Sequence, residues 1–202
     1  MGKRWVIALV ASAIILAGCA LERPSDSGQA AGSPARFALP ESDVSYIAYY
    51  VVDENGVQTL KTVWRSKDRL RMRHDFSGQG SLDLFFTEGR AYSCFESGQA
   101  ECFDITSTAH EGLNTAFLLA PDVSQAQPAE AVKIGSTQGK CYTLQLSPGS
   151  ERKFCLAERG VLAYDEYSAG NEKHVEYATR IVYGEPDPSV FALPANVKEQ
   201  PS

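Results

Sequence analysis

Residues 139–156, GKCYTLQLSPGSERKFCL, admit few arrangements other than an antiparallel hairpin. Two alternating apolar and polar runs flank Ser147-Pro148-Gly149, whose chemistry suits a short turn. A loop of those residues sets 146 opposite 150, 144 opposite 152 and 141 opposite 155, so Cys141 and Cys155 face each other. The same register sends Tyr142, Leu144, Leu146, Phe154 and Leu156 to one face and Thr143, Gln145, Glu151 and Lys153 to the other. Arg152 is the exception on the apolar side. A slip by one residue turns every side chain over, so a register on which cysteines and apolar residues agree is strongly specified.

The segment CFESGQAEC, residues 94–102, behaves alike: a turn centred on Gly98 brings Cys94 opposite Cys102 and Phe95 opposite Glu101. Two hairpin staples, Cys94–Cys102 and Cys141–Cys155, are expected, each worth about 2–3 kcal/mol in chain-entropy terms. The competing connectivity crosses the two hairpins. Zinc is not expected, because paired zinc cysteines are commonly separated by two residues and no CxxC occurs here. A disulfide framework requires an oxidising compartment.

The fifth cysteine, Cys19, has a different setting. Lys3 and Arg4 precede an apolar run from Trp5 to Ala17, the layout of an export signal and too short to span a bilayer. Leu16-Ala17-Gly18-Cys19 resembles the lipobox of prokaryotic lipoproteins, which implies cleavage after residue 18, a diacylglyceryl group on Cys19 and a membrane as partner. Met1-Gly2 does not extend to a myristoylation motif, since Val6 stands where Ser or Thr is required. Residues 19–42, rich in Ser, Gly, Ala and Pro, read as a flexible tether with a reach of roughly 25 Å. Ala20 after the lipid cysteine is compatible with sorting to an outer membrane. The expected address is the cell envelope, anchored by lipid at the cell membrane or outer membrane and exposed outside the cytoplasm. Losing residues 1–18 removes two basic residues and takes the formal charge from −6 to −8, which argues against nucleic acid as a partner.

Residues 43–198 read as a single domain, with 199–202 a tail. β signals dominate, with strands expected at 44–53, 58–66, 69–76, 81–87, 90–96, 101–105, 131–136, 140–147, 151–157, 161–168 and 173–183. Links as short as Glu54-Asn55-Gly56 and Glu88-Gly89 make a meander. Both sides of residues 44–53 are apolar, which suits a central strand or a barrel wall touched from both sides. In 69–76, Leu70, Met72 and His74 oppose Arg69, Arg71, Arg73 and Asp75, and the arginines are expected to form a solvated stripe. One helical stripe interrupts the strands: Leu113, Ala116, Phe117 and Ala120, stopped by Pro121. These four residues are expected to lie against the sheet, as a plug or as a lid over an apolar cavity.

The hairpin run VWRSKDRLRMRHDFSGQGSLDLFFTEGRAYSC and the ending DPSVFALPANVK, residues 187–198, resemble the LolA/LppX-like lipoproteins and lipoprotein carriers. The resemblance implies a mainly β fold with a few helices: a strongly bent antiparallel sheet, or half-open barrel, with a short helix covering its concave face. It departs at the front, where the family has a helix and this chain has the tether. It implies binding of acyl chains through apolar surface and carries over no specific residues.

No catalytic constellation emerges. His74, His110 and His174 are far apart in sequence and lack HExxH or HxH spacing; His74, on an apolar strand face, is expected to be a satisfied core histidine. Neither GxSxG, GxxxxGK[ST] nor GxGxxG occurs. Asp165 and Glu166 are neighbours on a strand and point to opposite faces, so they cannot flank one bond. The expectation is a non-enzymatic lipoprotein, without cofactor or metal, that binds or presents a hydrophobic, lipid-like ligand. The alternatives are an interaction or structural lipoprotein without ligand and, third, an extracytoplasmic enzyme.

Overall fold

Two-residue turns set the architecture. Asn55 and Gly56 both have positive φ, as do Glu88 and Gly89, the backbone that joins twisted antiparallel strands without splaying them. The computed structural model describes residues 43–97, 100–106, 123–134, 137–194 and 197–199, all within the compact unit Ala35–Ser202. The helical stripe Leu113, Ala116, Phe117 and Ala120 lies outside the described residues, as do Cys19, the tether and His110.

The first meander comprises β1 (Tyr46–Glu54), β2 (Val57–Arg65), β3 (Leu70–Phe76), β4 (Gly80–Thr87), β5 (Arg90–Glu96) and β6 (Ala100–Asp104). Three short strands follow: β7 (Gln127–Ala129), β8 (Lys133–Ile134) and β9 (Thr137–Gln138). The second meander comprises β10 (Lys140–Ser147), β11 (Ser150–Leu156), β12 (Leu162–Ala169) and β13 (Glu172–Tyr183), and β14 (Val197–Glu199) closes the described chain. The meanders join where β1 pairs with β13, giving a 12-stranded curled sheet in the order β14-β6-β5-β4-β3-β2-β1-β13-β12-β11-β10-β7. At one edge β14 lies parallel to β6, while β8 and β9 pair separately with each other. The mainly β, bent antiparallel sheet is thus present, with β1 central as its two apolar sides suggested.

Local details depart from expectation for identifiable reasons. Of the strand expected at 131–136, Lys133–Ile134 is strand and residues 135 and 136 lie outside the described residues; β7 and β9 flank it, and Pro128 is tolerated because β7 is an edge strand. In the β10–β11 hairpin, Cys141 faces Cys155 and Leu144 faces Arg152. However, Ser147 rather than Leu146 faces Ser150: the turn closes on Pro148 and Gly149 alone, and the register shifts between Gln145 and Ser147. Leu146 consequently stands 49% exposed.

Inner and outer faces follow from strand alternation. The inner face carries the largest apolar cluster, including Tyr46, Ala48, Val63, Leu70, Phe86 and Ala178. On the outer face, disulfides join Cys94 to Cys102 and Cys141 to Cys155, with Cα separations of 4.0 and 3.9 Å. The first belongs to a cluster with Phe85 and Tyr92, against which Leu193 packs.

The arginine stripe is not a solvated face. Arg71 Nε donates to Asp83 Oδ1 at 2.8 Å and its Nη1 to the Val190 carbonyl at 3.0 Å, between the rings of Trp64 and Phe85. Arg73 meets Asp75, Asp83 and Glu96. The acidic partners lie on β3, β4 and β5, and the C-terminal segment packs over this side.

Gly80 opens β4 with φ of 111°, and a Cβ there would lie 2.2 Å from the Glu96 carbonyl oxygen. Gly80→Ala is expected to cost more than about 1 kcal/mol through both left-handed backbone and collision. A thermal midpoint lowered by several degrees would show it; an unchanged midpoint would mean that β4 and β5 separate freely at this point.

Candidate functional site

Register delivers a group of polar side chains to the inner face. Lys61 on β2 is opposite Tyr50 on β1 and His74 on β3. On the other side of β1, Val52 faces Glu176 and Glu54 faces His174, both on β13. Asp165 on β12 faces Glu176, and Tyr167 faces His174. Strand alternation therefore gathers residues from positions 54 to 176 onto one side of the sheet.

Lys61 reaches across β1, its Nζ donating a short hydrogen bond to Glu176 Oε2 and lying 5.0 Å from the centre of the Tyr50 ring. His174 sits between two carboxylates, with Nδ1 3.4 Å from Glu54 Oε1 and Nε2 3.9 Å from Glu176 Oε2. Two buried atoms of the group have no hydrogen-bond partner among the described residues: Glu176 Oε1 and His74 Nε2. Next to them Arg152 donates from Nε and Nη2 to the two oxygens of Asp165, both at 2.7 Å. That ion pair explains why an arginine occupies an apolar-side position of β11.

Charge states follow from these neighbours. Burial by itself would disfavour the ionised forms of both Glu176 and His174. The Lys61 ammonium and the His174 ring outweigh it and hold Glu176 down at about 2. The Glu176 and Glu54 carboxylates lift His174 to about 9. Burial, reinforced by the Lys61 charge, pushes His74 below its ordinary value. At neutral pH the group thus combines two cations, Lys61 and His174, with two anions, Glu176 and Glu54, around an uncharged His74.

The sequence suggests a satisfied core histidine at position 74; the structure leaves its Nε2 without a described partner. It also brings together His74 and His174, 100 positions apart in the chain, through long-range pairing that no spacing rule contains. Lys61, Glu54 and Glu176 carry no motif that would single them out. The available signal is an ionisable residue at inward positions of otherwise apolar strands, as in HVEYA, residues 174–178. Asp165 and Glu166 do point to opposite faces, the first towards Arg152 and the second towards Tyr164 and Lys173. Among the described residues no three His, Cys, Asp or Glu side chains are placed to hold a metal ion, and no helix is long and apolar enough to cross a membrane.

The sheet is similar to several solved structures. One is MucB in complex with MucA(peri), with a TM-score of 0.51 and 14% identity over 75% of this chain and 55% of that one. Another is the MucA/MucB complex of Pseudomonas aeruginosa, with 0.52 and 13% over 76% and 56%. A third is an uncharacterised conserved protein of Thermus thermophilus, with 0.55 and 8% over 77% and 90%. The chain spans somewhat over half the length of the MucB chains it matches. At these identities the likeness is one of fold, and it places the chain among proteins built on a curled, half-open β-barrel sheet. No protein-family model and no curated protein matches the sequence.

Proposed function

We propose that this chain is an extracytoplasmic protein of the cell envelope, anchored through lipid on Cys19, which holds a hydrophobic, lipid-like ligand on the inner face of its curled sheet. The observation that carries this reading is the inner face itself: apolar side chains continue across β1, β2, β3, β4 and β13 beneath a sheet whose edge strands β7 and β14 do not pair with each other. In this reading an acyl chain inserts among these buried side chains, which needs no catalytic group. Two disulfides fit an oxidising compartment, and the lipobox resemblance supplies the anchor. The inner polar side chains compensate one another in charge, an arrangement suited to holding a ligand.

A second reading, an interaction lipoprotein, is favoured by the outer face, where Leu60 and Tyr49 stand 58% and 38% exposed. The MucB neighbours, whose structures include complexes with MucA, are consistent with protein partnering on this fold.

Native mass spectrometry of the protein purified from its own membranes tests the first reading. The expected result is a co-purifying apolar molecule and an N-terminal peptide that starts at a diacylglyceryl-modified Cys19. Cys19→Ser should move the protein out of the membrane fraction. A ligand-free mass would overturn the carrier reading in favour of the second, and an unmodified Cys19 would remove the anchor.

A further inference from the structure

The ligand's polar end can be argued from the two unpaired atoms. Glu176 is 5% exposed, and its Oε1 is buried without a partner among the described residues, as is His74 Nε2. A buried polar atom left without a partner costs free energy comparable to a lost hydrogen bond, so each calls for a complementary group. An ionised carboxylate oxygen only accepts, and a neutral imidazole nitrogen donates or accepts according to its tautomer. Hydroxyl groups suit both: one donates its proton to Glu176 Oε1, and the oxygen of another accepts from His74 Nε2–H. Carbonyl or ether oxygens cannot donate to Glu176.

Charge narrows the choice further. Lys61 and His174 already balance Glu176 and Glu54. A cationic headgroup would add a third positive charge beside Lys61, and an anionic one would face the Glu176 carboxylate with no cation left unengaged in this group. A neutral headgroup disturbs neither balance. The buried apolar cluster runs on from this group along the same strands, through Val63, Leu70 and Met72, and the chain of the same molecule would insert among these side chains.

We propose that Glu176 Oε1 and His74 Nε2 form a subsite for the neutral, hydroxyl-bearing headgroup of an amphiphile, of the glycerol or sugar kind, whose acyl chain inserts among the inner apolar side chains. This rests on the ligand-binding reading above and specifies the class of lipid. The Lys61–Glu176 bond fixes one carboxylate oxygen and leaves the other for the ligand.

The test is equilibrium binding to the delipidated full chain of three probes with the same acyl chain: 1-monooleoylglycerol, methyl oleate and oleate. Monooleoylglycerol is expected to bind about tenfold or more tightly than methyl oleate, the size of effect that hydrogen bonds to a charged group produce. His74→Leu should bring monooleoylglycerol part of the way down towards methyl oleate, the Glu176 contact being left, while leaving methyl oleate within about twofold, and His74→Gln, which retains a donor, should restore part of the loss. The discrimination in the unmodified chain needs no variant, so it stands as a readout even if His74→Leu fails to fold. Equal binding of monooleoylglycerol and methyl oleate would overturn the headgroup subsite, leave bound water as the partner of the two atoms, and spare the apolar reading. Tighter binding of oleate would overturn the charge-balance argument and the subsite with it. Binding of none of the three would overturn the ligand reading itself.

Discussion

Asp165→Ala is expected to destabilise the protein by about 3–5 kcal/mol, measured as a shift of the urea midpoint at constant slope. The side chains of Arg152 and Asp165 are 6% and 10% exposed, and two charge-assisted bonds of 2.7 Å hold them in a fork. Removing the carboxylate leaves the buried guanidinium without that partner on the inner face, beside the positions of Phe154 and Tyr167. Removing both charges is a different experiment. In Arg152→Met/Asp165→Leu no charge is stranded, and apolar contacts replace the pair, so the double variant is expected within about 2 kcal/mol of the original. The pair therefore defines which residues can occupy these positions more than it adds to stability. A cost for Asp165→Ala below about 1 kcal/mol would show that water reaches Arg152.

The second large effect is a stability profile that falls on both sides of mildly acidic pH. Glu176 titrates at about 2 in the folded chain, against an ordinary 4.5. Its contribution is complete above about pH 4.5 and lost as the pH falls towards 2, because the unfolded chain takes up the proton first. His174 is lifted from 6.5 to about 9, so its contribution is complete below about pH 6.5 and lost as the pH rises through 9. Each limb is worth about 2–3 kcal/mol, and the two share one interaction, so they are not additive. The plateau lies between about pH 4.5 and 6.5. Urea unfolding across pH 2–10 would trace it, and His174→Gln should flatten the alkaline limb and, because His174 also helps to hold Glu176 down, reduce the acid limb in part. An alkaline limb that survives His174→Gln would assign it to another group.

The legible parts of the fold were those written within one hairpin. The opposition of Cys141 to Cys155 was read from a three-residue Ser147-Pro148-Gly149 loop, and the structure reaches the same pairing through a two-residue turn and a register shift between Gln145 and Ser147; that of Cys94 to Cys102 follows from alternation within CFESGQAEC. Such information is local, and a single stretch contains it. The join of β1 to β13 is written nowhere locally, since apolar strands of similar length compete for each edge. The polar group depends on that join: Lys61 meets Glu176 only because β13 lies on the far side of β1. Arg71 and Arg73 were misread for a related reason, as their carboxylate partners include Asp83 and Glu96 on neighbouring strands, and Val190 arrives from the C-terminal segment. β7 was missed because Pro128 argues against a strand unless the strand is known to be an edge.

That central join has a consequence for the order in which the protein is assembled. Thr179 Oγ1 bonds the Tyr49 carbonyl across 130 positions of sequence, so the middle of the sheet is a seam between the two ends of the domain. The meanders on either side can zip up from neighbouring strands as each emerges. β1, made first, keeps one edge open until nearly the whole domain has been made, and an open edge is a template for any strand nearby. Newly made chains are therefore most exposed to mispairing along Tyr46–Glu54, and a pulse of chain synthesis should find that edge protected last.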